Sequence, residues 1–285
     1  MKIAVLSGKG GTGKTTVSSN LAAILGNVTL VDCDVEEPNI HLFFDIPNDT
    51  KQSVYTEYPH IDMRKCNLCG DCGDFCNFNA ILPAKNRVLV FKEICHACGG
   101  CAIVCSKNAI SYKQREIGVI HEGLSTQGIN VKYGILNVGE FSGVKIINQL
   151  LASIPINDQV IIDSPPGTSC ATVAAVESAD FAIIVSEPTP FGVSDMKMVV
   201  EMLKNLKIPF GLVINKAGLG NNEIYDYASE EKINILGEIP FSKEAAKHYA
   251  TGKLLNQEMK TMRLQFDSII NNLTLSLENK VGALL

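Results

Sequence analysis

The sequence lacks the features of a membrane protein or of a general nucleic-acid-binding protein. No apolar run approaches bilayer length, and the apolar residues before the first glycine-rich segment are too few for a signal peptide. Basic residues are not in excess, because 25 Lys and Arg stand against 30 Asp and Glu, for a net charge of -5. This balance excludes a broad electrostatic attraction to nucleic acid or anionic lipid. We therefore expect a cytoplasmic protein with no nucleic-acid partner and no stable membrane association.

What the sequence does contain is a large apolar fraction and many cysteines. Of its 285 residues, 46% are hydrophobic, which is enough for the packed core of one large or two smaller globular domains. Eight of the ten cysteines lie between Cys66 and Cys105. In a reducing compartment, such a concentration indicates metal ligands or reactive thiols rather than disulfides.

The N-terminal segment contains a complete P-loop. A short apolar run leads into Gly8-x4-Gly13-Lys14-Thr15, and residues with helical spacing follow. Backbone N–H groups of such a loop point at a phosphate, and side chains in place of its glycines would clash with the phosphate or prevent the required backbone angles. We expect Lys14 to neutralise the β and γ phosphates and Thr15 to offer its hydroxyl to Mg2+. The predicted nucleotide-binding residues of the loop are Gly8, Lys9, Gly10, Gly11, Thr12, Gly13, Lys14, Thr15 and Thr16.

A second lysine in the loop indicates which group of P-loop proteins the chain resembles. The segment KGGTGKT resembles the deviant Walker A P-loop of the MinD, ParA and Mrp ATPases, a group that also includes the nitrogenase iron protein. The resemblance implies that two subunits dock face to face around ATP and that Lys9 reaches the partner's phosphates, like an arginine finger supplied in trans. It therefore implies a homodimer that forms on ATP binding. The alternative is that Lys9 is a solvated loop residue.

Two apolar strands end in acids that match the switch segments of this family. The segment DCD, which ends at Asp34, resembles switch I, whose second acid orients or deprotonates the attacking water. The segment DSPPG resembles the Walker B and switch II arrangement, so Asp163 is expected to hold Mg2+ through water and the Gly167 N–H to sense the γ phosphate. By the same resemblance, Asn215 is expected to read the adenine. Asp32 is expected to support the loop or the water ligands of Mg2+. For both Asp32 and Asp34, the alternative is a solvated acid at a strand end.

Strands and helices alternate along most of the chain. This pattern predicts an α/β fold in which a parallel sheet is covered by helices on both faces.

The composition changes abruptly near residue 58. The spacing Cys-x2-Cys-x2-Cys-x3-Cys occurs twice, 29 residues apart, and each copy continues into Asn-Ala-Ile, which indicates an internal duplication. The spacing is that of a bacterial ferredoxin with two 4Fe-4S clusters, in which the fourth cysteine of each run ligates the other cluster. One cluster is then expected on Cys66, Cys69, Cys72 and Cys105, and the other on Cys95, Cys98, Cys101 and Cys76. The alternatives are a zinc site and a pair of clusters with a purely structural role.

Two cysteines lie outside this pattern. Cys33 and Cys170 are expected to be small buried hydrophobes. Because the nitrogenase iron protein also has a cysteine shortly after its switch II aspartate, a bridging ligand is the alternative for Cys170.

Together these patterns predict an ATPase with an inserted ferredoxin domain. The expected division is residues 1–57 and 112–285 for the P-loop ATPase domain, with the ferredoxin-like domain at 58–111. We expect a dimeric Mg-ATPase, stimulated by dimerisation or by a partner, that couples ATP-driven conformational change to electron transfer or redox signalling with a redox or metallocofactor protein. The alternatives are an iron-sulfur cluster carrier like Mrp, disfavoured by eight ferredoxin-spaced ligands, and a spatial regulator like MinD or ParA.

Overall fold

The structure is a computed structural model that describes residues 1–282, with side chains described as far as residue 278. Its strands are β1 (Lys2–Leu6), β2 (Thr29–Asp32), β3 (Thr50–Ile61), β4 (Ile81–Pro83), β5 (Val88–Val90), β6 (Ile110–Leu124), β7 (Asn130–Leu136), β8 (Val160–Asp163), β9 (Phe181–Ser186), β10 (Phe210–Ala217) and β11 (Ile235–Pro240). Its helices are α1 (Lys14–Leu25), α2 (Asp71–Asp74), α3 (Gly100–Ile103), α4 (Val144–Ala152), α5 (Cys170–Val176), α6 (Pro190–Leu206), α7 (Glu223–Glu230), α8 (Lys243–Ala250), α9 (Leu255–Glu258) and α10 (Lys260–Gly282). Short 3-10 helices cover Ile40–Leu42 and Lys92–Ile94.

Nine strands form one sheet in the order β11-β10-β9-β1-β8-β2-β7-β6-β3. The strands from β11 to β7 are parallel, and the central strands β1, β8 and β9 are almost wholly buried and apolar, as strands covered on both faces must be. The predicted α/β fold is therefore confirmed. The sheet is not parallel throughout, because β6 and β3 join its edge in antiparallel pairing. A short turn connects β6 directly to β7, and strands joined in this way run in opposite directions.

Helices cover both faces of the sheet and bury two apolar cores. On one face, α4 to α7 contribute buried residues such as Ile146, Leu150 and Leu203. On the other, α1 and α8 to α10 contribute residues such as Leu21 and Phe266. Within residues 1–282, no helix is both long enough and apolar enough to cross a membrane.

Strands β3 and β6 extend beyond the sheet as a two-stranded ribbon. They pair from Thr50 and Glu122 to Ile61 and Ile110, with a bulge at which Ile117 is the extra residue. Strand β7 pairs with β6 only as far as Gly118, so the last seven residues of β3 and the first seven of β6 continue alone for about 24 Å. Because β7 is parallel to β2, the ribbon leaves the sheet on the side where the parallel strands have their carboxyl ends.

Residues 62–109 lie at the end of this ribbon, and their backbone repeats itself with the 29-residue offset of the cysteines. Helices α2 and α3 each follow a glycine with positive φ. The left-handed residues also recur in pairs, namely Leu68 (φ 60°) with Ala97 (φ 53°), and Asn79 (φ 53°) with Asn108 (φ 47°). The two cysteine runs therefore follow the same path. The division into domains at residues 58 and 111 stays a prediction, since the β3–β6 pairing continues four residues past residue 57.

Candidate nucleotide and iron-sulfur sites

The P-loop connects the buried end of β1 to the start of α1. Gly13 caps α1 with φ 99°, and a Cβ there would lie 2.2 Å from Asn215 Nδ2. A Cβ on Gly8 would lie 2.4 Å from the carbonyl oxygen of Asp195 in α6. Other parts of the protein therefore require glycine at these two positions, in addition to any bound phosphate.

Asn215 and Gly167 contact the P-loop backbone directly. Asn215 Nδ2 donates a hydrogen bond to the Thr12 carbonyl at 2.7 Å, and the Gly167 N–H donates to the Ser7 carbonyl at 2.9 Å. For the Gly167 N–H to donate to a γ phosphate, its hydrogen bond to the Ser7 carbonyl must first break. The predicted adenine and γ-phosphate contacts of Asn215 and Gly167 stay predictions.

The acids of β2 and β8 lie side by side where these strands end. Asp32 and Asp163 are register partners, and both are buried. Asp163 Oδ1 has no hydrogen-bond partner among the described residues. A buried carboxylate oxygen of this kind near Thr15 fits a hard cation such as Mg2+, which uses one or two carboxylates together with phosphates and water. Thr15 and Asp163 are thus suited to the metal role predicted for them.

Asp32 holds the switch I segment in place. Its carboxylate accepts backbone hydrogen bonds from Asp34 at 3.0 Å, Asn39 at 2.8 Å and Ile40 at 3.1 Å. Burial, and then the charge of Asp163, raise the pKa of Asp32 well above its ordinary value. Burial likewise raises the pKa of Asp34, while Lys14 opposes the rise. A carboxylate with a raised pKa next to the P-loop lysine is suited to accept a proton from water.

Burial raises the pKa of Asp163 to about 7, against the opposing effects of Thr15 and Lys14. In metal-free protein, we expect the free energy of unfolding to fall as pH rises from about 4 to about 7, because the unfolded chain releases this proton first. Above the folded pKa, the contribution of Asp163 is already lost. Denaturant titrations in EDTA at several pH values test this, and in Asp163→Asn the free energy of unfolding should depend less on pH over this range. An equal pH dependence in wild type and variant would contradict the raised pKa of Asp163.

Lys9 forms an ion pair within its own chain. Its Nζ lies 2.5 Å from Glu187 Oε1, and Lys216 Nζ lies 2.9 Å from Oε2 of the same carboxylate. Burial alone would raise the pKa of Glu187, but the two lysines lower it below its ordinary value. Lys216 also donates to the Gly11 carbonyl at 3.1 Å. A contact of Lys9 with a partner's phosphates therefore requires it to leave Glu187, and the trans role stays a prediction.

The base of the ribbon contacts switch I. The Leu136 N–H donates to the carbonyl of Val35, which follows Asp34, at 2.8 Å. The next N–H, of Asn137, donates to the carbonyl of the bulge residue Ile117 at 2.9 Å. Consecutive residues at the end of β7 thus bind switch I and the ribbon.

Two side-chain groups add further contacts, one at the ribbon and one in the part of the sheet where β6 pairs with β7. Arg115 of the ribbon forms an ion pair with Glu140, and both side chains are mostly buried. The Tyr133 ring stacks between His41, at 4.8 Å, and His121, at 4.6 Å. None of these residues was predicted to have a role, because they are brought together only by contacts between parts of the chain that are far apart in sequence.

The eight clustered cysteines line two cavities at the end of the ribbon. We call them cavity A and cavity B. Cavity A is lined by Cys66, Cys69, Cys72 and Cys105. Cavity B is lined by Cys76, Cys95, Cys98 and Cys101. Each cavity thus takes three cysteines from one run and the fourth from the other run.

The donor set of each cavity suits an iron-sulfur cubane. Backbone N–H groups approach the sulfurs, from Ala80 to Cys76 at 3.3 Å and, at the equivalent position, from Ala109 to Cys105 at 3.4 Å. No group of three His, Cys, Asp or Glu in the described part of the chain converges on a single metal ion. Cubane thiolates each bind a different iron and so lie farther apart than the ligands of one ion. The residues therefore fit two 4Fe-4S clusters, whose assignment stays a prediction.

The two remaining cysteines differ in exposure. Cys33 is wholly buried in the core, where burial, and then the charges of Asp32 and Asp163, raise the pKa of its thiol. Such a thiol is inert, as expected for a small hydrophobe. Cys170, in contrast, is exposed at the start of α5, so the expectation that it is buried is wrong. It is the first residue of α5, directly after the switch II segment.

Comparison with known proteins agrees with this geometry. The CobQ/CobB/MinD/ParA nucleotide binding domain matches residues 3–255. An uncharacterized protein of Methanocaldococcus jannaschii is 38% identical over 262 residues, which cover 90% of each chain. An iron-sulfur cluster carrier protein of Pyrococcus furiosus is 28% identical over 266 residues, covering 86% of this chain and 75% of the relative.

Among solved structures, the cell division ATPase MinD of Pyrococcus furiosus superposes with a TM-score of 0.59 at 18% identity, covering 96% of this chain and 98% of that one. This likeness shows a shared fold. The chain belongs to the CobQ/CobB/MinD/ParA family of nucleotide-binding domains, within the class of the MinD, ParA and Mrp ATPases.

Proposed function

We propose that this protein is a Mg-ATPase that dimerises on ATP binding and couples changes at switch I to electron transfer or redox signalling by two 4Fe-4S clusters. The observation that carries the proposal is the position of the ribbon. It leaves the sheet on the side where the carboxyl ends of the parallel strands hold the P-loop and the switch acids. At its base, two consecutive backbone N–H groups donate to the carbonyls of Val35 and Ile117. A shift of switch I on ATP binding therefore acts directly on the base of the ribbon.

The ATPase half of the proposal assigns one step to each residue. Asp34 accepts the proton of the attacking water, while Thr15 and Asp163 hold Mg2+. Lys14 neutralises the phosphates of its own subunit. Lys9 leaves Glu187 and neutralises those of the partner, so that full activity requires two copies of the chain. The products are ADP and phosphate.

The cysteine half assigns the clusters to cavities A and B. When bound, a 4Fe-4S cluster supplies one-electron chemistry at a potential set by its surroundings. The chain's own part is to hold the thiolates and to direct N–H groups at sulfur, as at Cys76 and Cys105. The external partner of this reaction is a redox or metallocofactor protein.

This proposal predicts that nucleotide state changes the cluster signals. Iron-replete protein should give different EPR spectra with ADP and with a non-hydrolysable ATP analogue, because closure of the dimer changes the surroundings of the ribbon. Spectra that are identical without nucleotide, with ADP and with the analogue would contradict coupling.

A second candidate function is delivery of iron-sulfur clusters. It is favoured by the similarity to relatives named iron-sulfur cluster carrier protein in Pyrococcus furiosus and Pyrococcus horikoshii, at 28% and 29% identity. Ligation by eight crossed cysteines disfavours it, because release of either cluster would require both runs to open. Incubation of labelled, iron-loaded protein with an apo-acceptor decides between the two: transfer of iron supports delivery, and retention supports the first proposal.

The ion pair between Arg115 and Glu140 offers a test of the coupling path. Arg115→Met combined with Glu140→Gln leaves no buried charge unpaired. We expect ATP hydrolysis to stay within about twofold of wild type, while the nucleotide-dependent change in the EPR signal falls by at least about half. Arg64→Gln, at an exposed arginine of the cysteine segment, is the matched control. An unchanged EPR response in the double variant would exclude this pair from the path.

A further inference from the structure

The two halves of the cysteine segment share a backbone path but differ in the residues next to the cavities. Tyr112 lines cavity B. The equivalent position in the other repeat, 29 residues earlier, is Pro83, which has no hydroxyl. The N–H contacts to Cys76 and Cys105 occur once in each cavity and so do not distinguish the two. Among the described residues, cavity B has a further N–H contact, from Ala97 to Cys95 at 3.5 Å, and it alone has a tyrosine hydroxyl near a cysteine sulfur.

Tyr112 is held in place by the ribbon. It lies on β6 opposite Pro59 of β3, beyond the part of the sheet that β7 covers. Its hydroxyl oxygen is 3.4 Å from Cys101 Sγ and 3.1 Å from the Gly99 carbonyl oxygen. Cys101 is buried, so little water competes for its sulfur.

The direction of the hydrogen bond follows from the state of Cys101. A free thiol can donate to the tyrosine oxygen, whereas an iron-bound thiolate has no proton and can only accept. With Cys101 bound to iron, the hydroxyl hydrogen is therefore shared between two acceptors, the thiolate and the Gly99 carbonyl. The thiolate carries charge, and hydrogen bonds to charged acceptors are the stronger ones.

We propose that Tyr112 tunes the cluster of cavity B by donating a hydrogen bond to the Cys101 thiolate, which raises the potential of that cluster. Hydrogen bonds to cluster sulfurs stabilise the reduced form, which carries the greater negative charge. The proposal rests on the proposed function, because it requires a cluster in cavity B. It assigns Tyr112 a positioning role, in which the residue acts through Cys101, and it gives the clusters of the two cavities different surroundings.

Redox titration of Tyr112→Phe, followed by EPR, tests this inference. We expect full iron content and an about tenfold lower ratio of reduced to oxidised cluster at a fixed potential, equivalent to about 59 mV for a one-electron couple. The titration of the other cluster should not change. Tyr55→Phe, at an exposed tyrosine of the same ribbon, is the matched control and should titrate like wild type.

A second measurement compares the effect of D2O on wild type and on Tyr112→Phe. Transfer to D2O should shift the iron–sulfur stretching bands of the cavity B cluster in resonance Raman spectra more in wild type than in the variant, because both proteins keep the exchangeable N–H groups near Cys76 and Cys95. Iron-loaded Tyr112→Phe that titrates like wild type, or D2O shifts that are equal in wild type and variant, would show that the hydroxyl does not donate to the Cys101 thiolate and would overturn this inference while leaving the proposed function intact. A protein that binds no iron in either cavity would overturn the proposed function as well.

Discussion

Replacing Lys9 by alanine is expected to lower kcat for ATP hydrolysis by about 10^3-fold, the effect of removing a cation supplied in trans in related phosphoryl-transfer sites. It should also abolish ATP-induced dimerisation, because the variant cannot neutralise the partner's phosphates across the interface. Phosphate-release assays measure the first effect, and sedimentation velocity with Mg-ATP measures the second.

The matched control for this change is Lys197→Ala. Lys197 lies on α6 and is exposed, with an ion pair to Glu223, so its loss should affect neither assay. Because Lys9→Ala also leaves Glu187 with Lys216 alone, a thermal melt is needed to show that the variant remains folded. A folded Lys9→Ala protein that dimerises and hydrolyses ATP like wild type would show that Lys9 does not neutralise the partner's phosphates.

Replacing Cys76 by alanine is expected to remove one cluster, and specifically the one in cavity B. Iron content should fall from about eight to about four atoms per chain. The reason is that Cys76 lines cavity B, although its neighbour in sequence, Cys72, lines cavity A. Iron analysis gives the loss, and EPR identifies which signal disappears.

Comparison with Cys72→Ala makes this test decisive. If each run of cysteines held its own cluster, the two variants would lose the same signal. Crossed ligation predicts that they lose different signals and that the double variant loses both. Cys170→Ala, at an exposed cysteine outside the segment, should keep all of its iron and is the control. Identical spectra for Cys72→Ala and Cys76→Ala would contradict the crossed arrangement.

Local sequence patterns were sufficient to predict the ATPase fold. Glycine spacing defines the P-loop, and apolar runs ending in Asp32 and Asp163 predict two strands whose acids lie at the nucleotide site. The structure shows that these two strands are neighbours. The antiparallel ribbon of β3 and β6 was not predicted. It depends on pairing across the whole cysteine segment, which no local pattern encodes.

The candidate site, like the fold, could be predicted where its residues belong to a local sequence pattern. The resemblance of the cysteine spacing to that of a two-cluster bacterial ferredoxin predicted which thiols share a cavity. The ion pair of Lys9 with Glu187 was not predicted, although an acid directly after β9 is a signal that could have indicated it. The raised pKa of Asp163 depends on burial between neighbouring strands, and only the assembled sheet provides that burial.

The central claim is that nucleotide bound at the P-loop alters the clusters at the far end of the ribbon. A potentiometric EPR titration of iron-replete Asp34→Ala protein, saturated with either Mg-ADP or Mg-ATP, tests it most directly, because this variant is expected to bind ATP without hydrolysing it. We predict that the midpoint potential of at least one cluster differs between the two nucleotide states. Superimposable titration curves in a sample that sedimentation shows to be dimeric with ATP would contradict the claim.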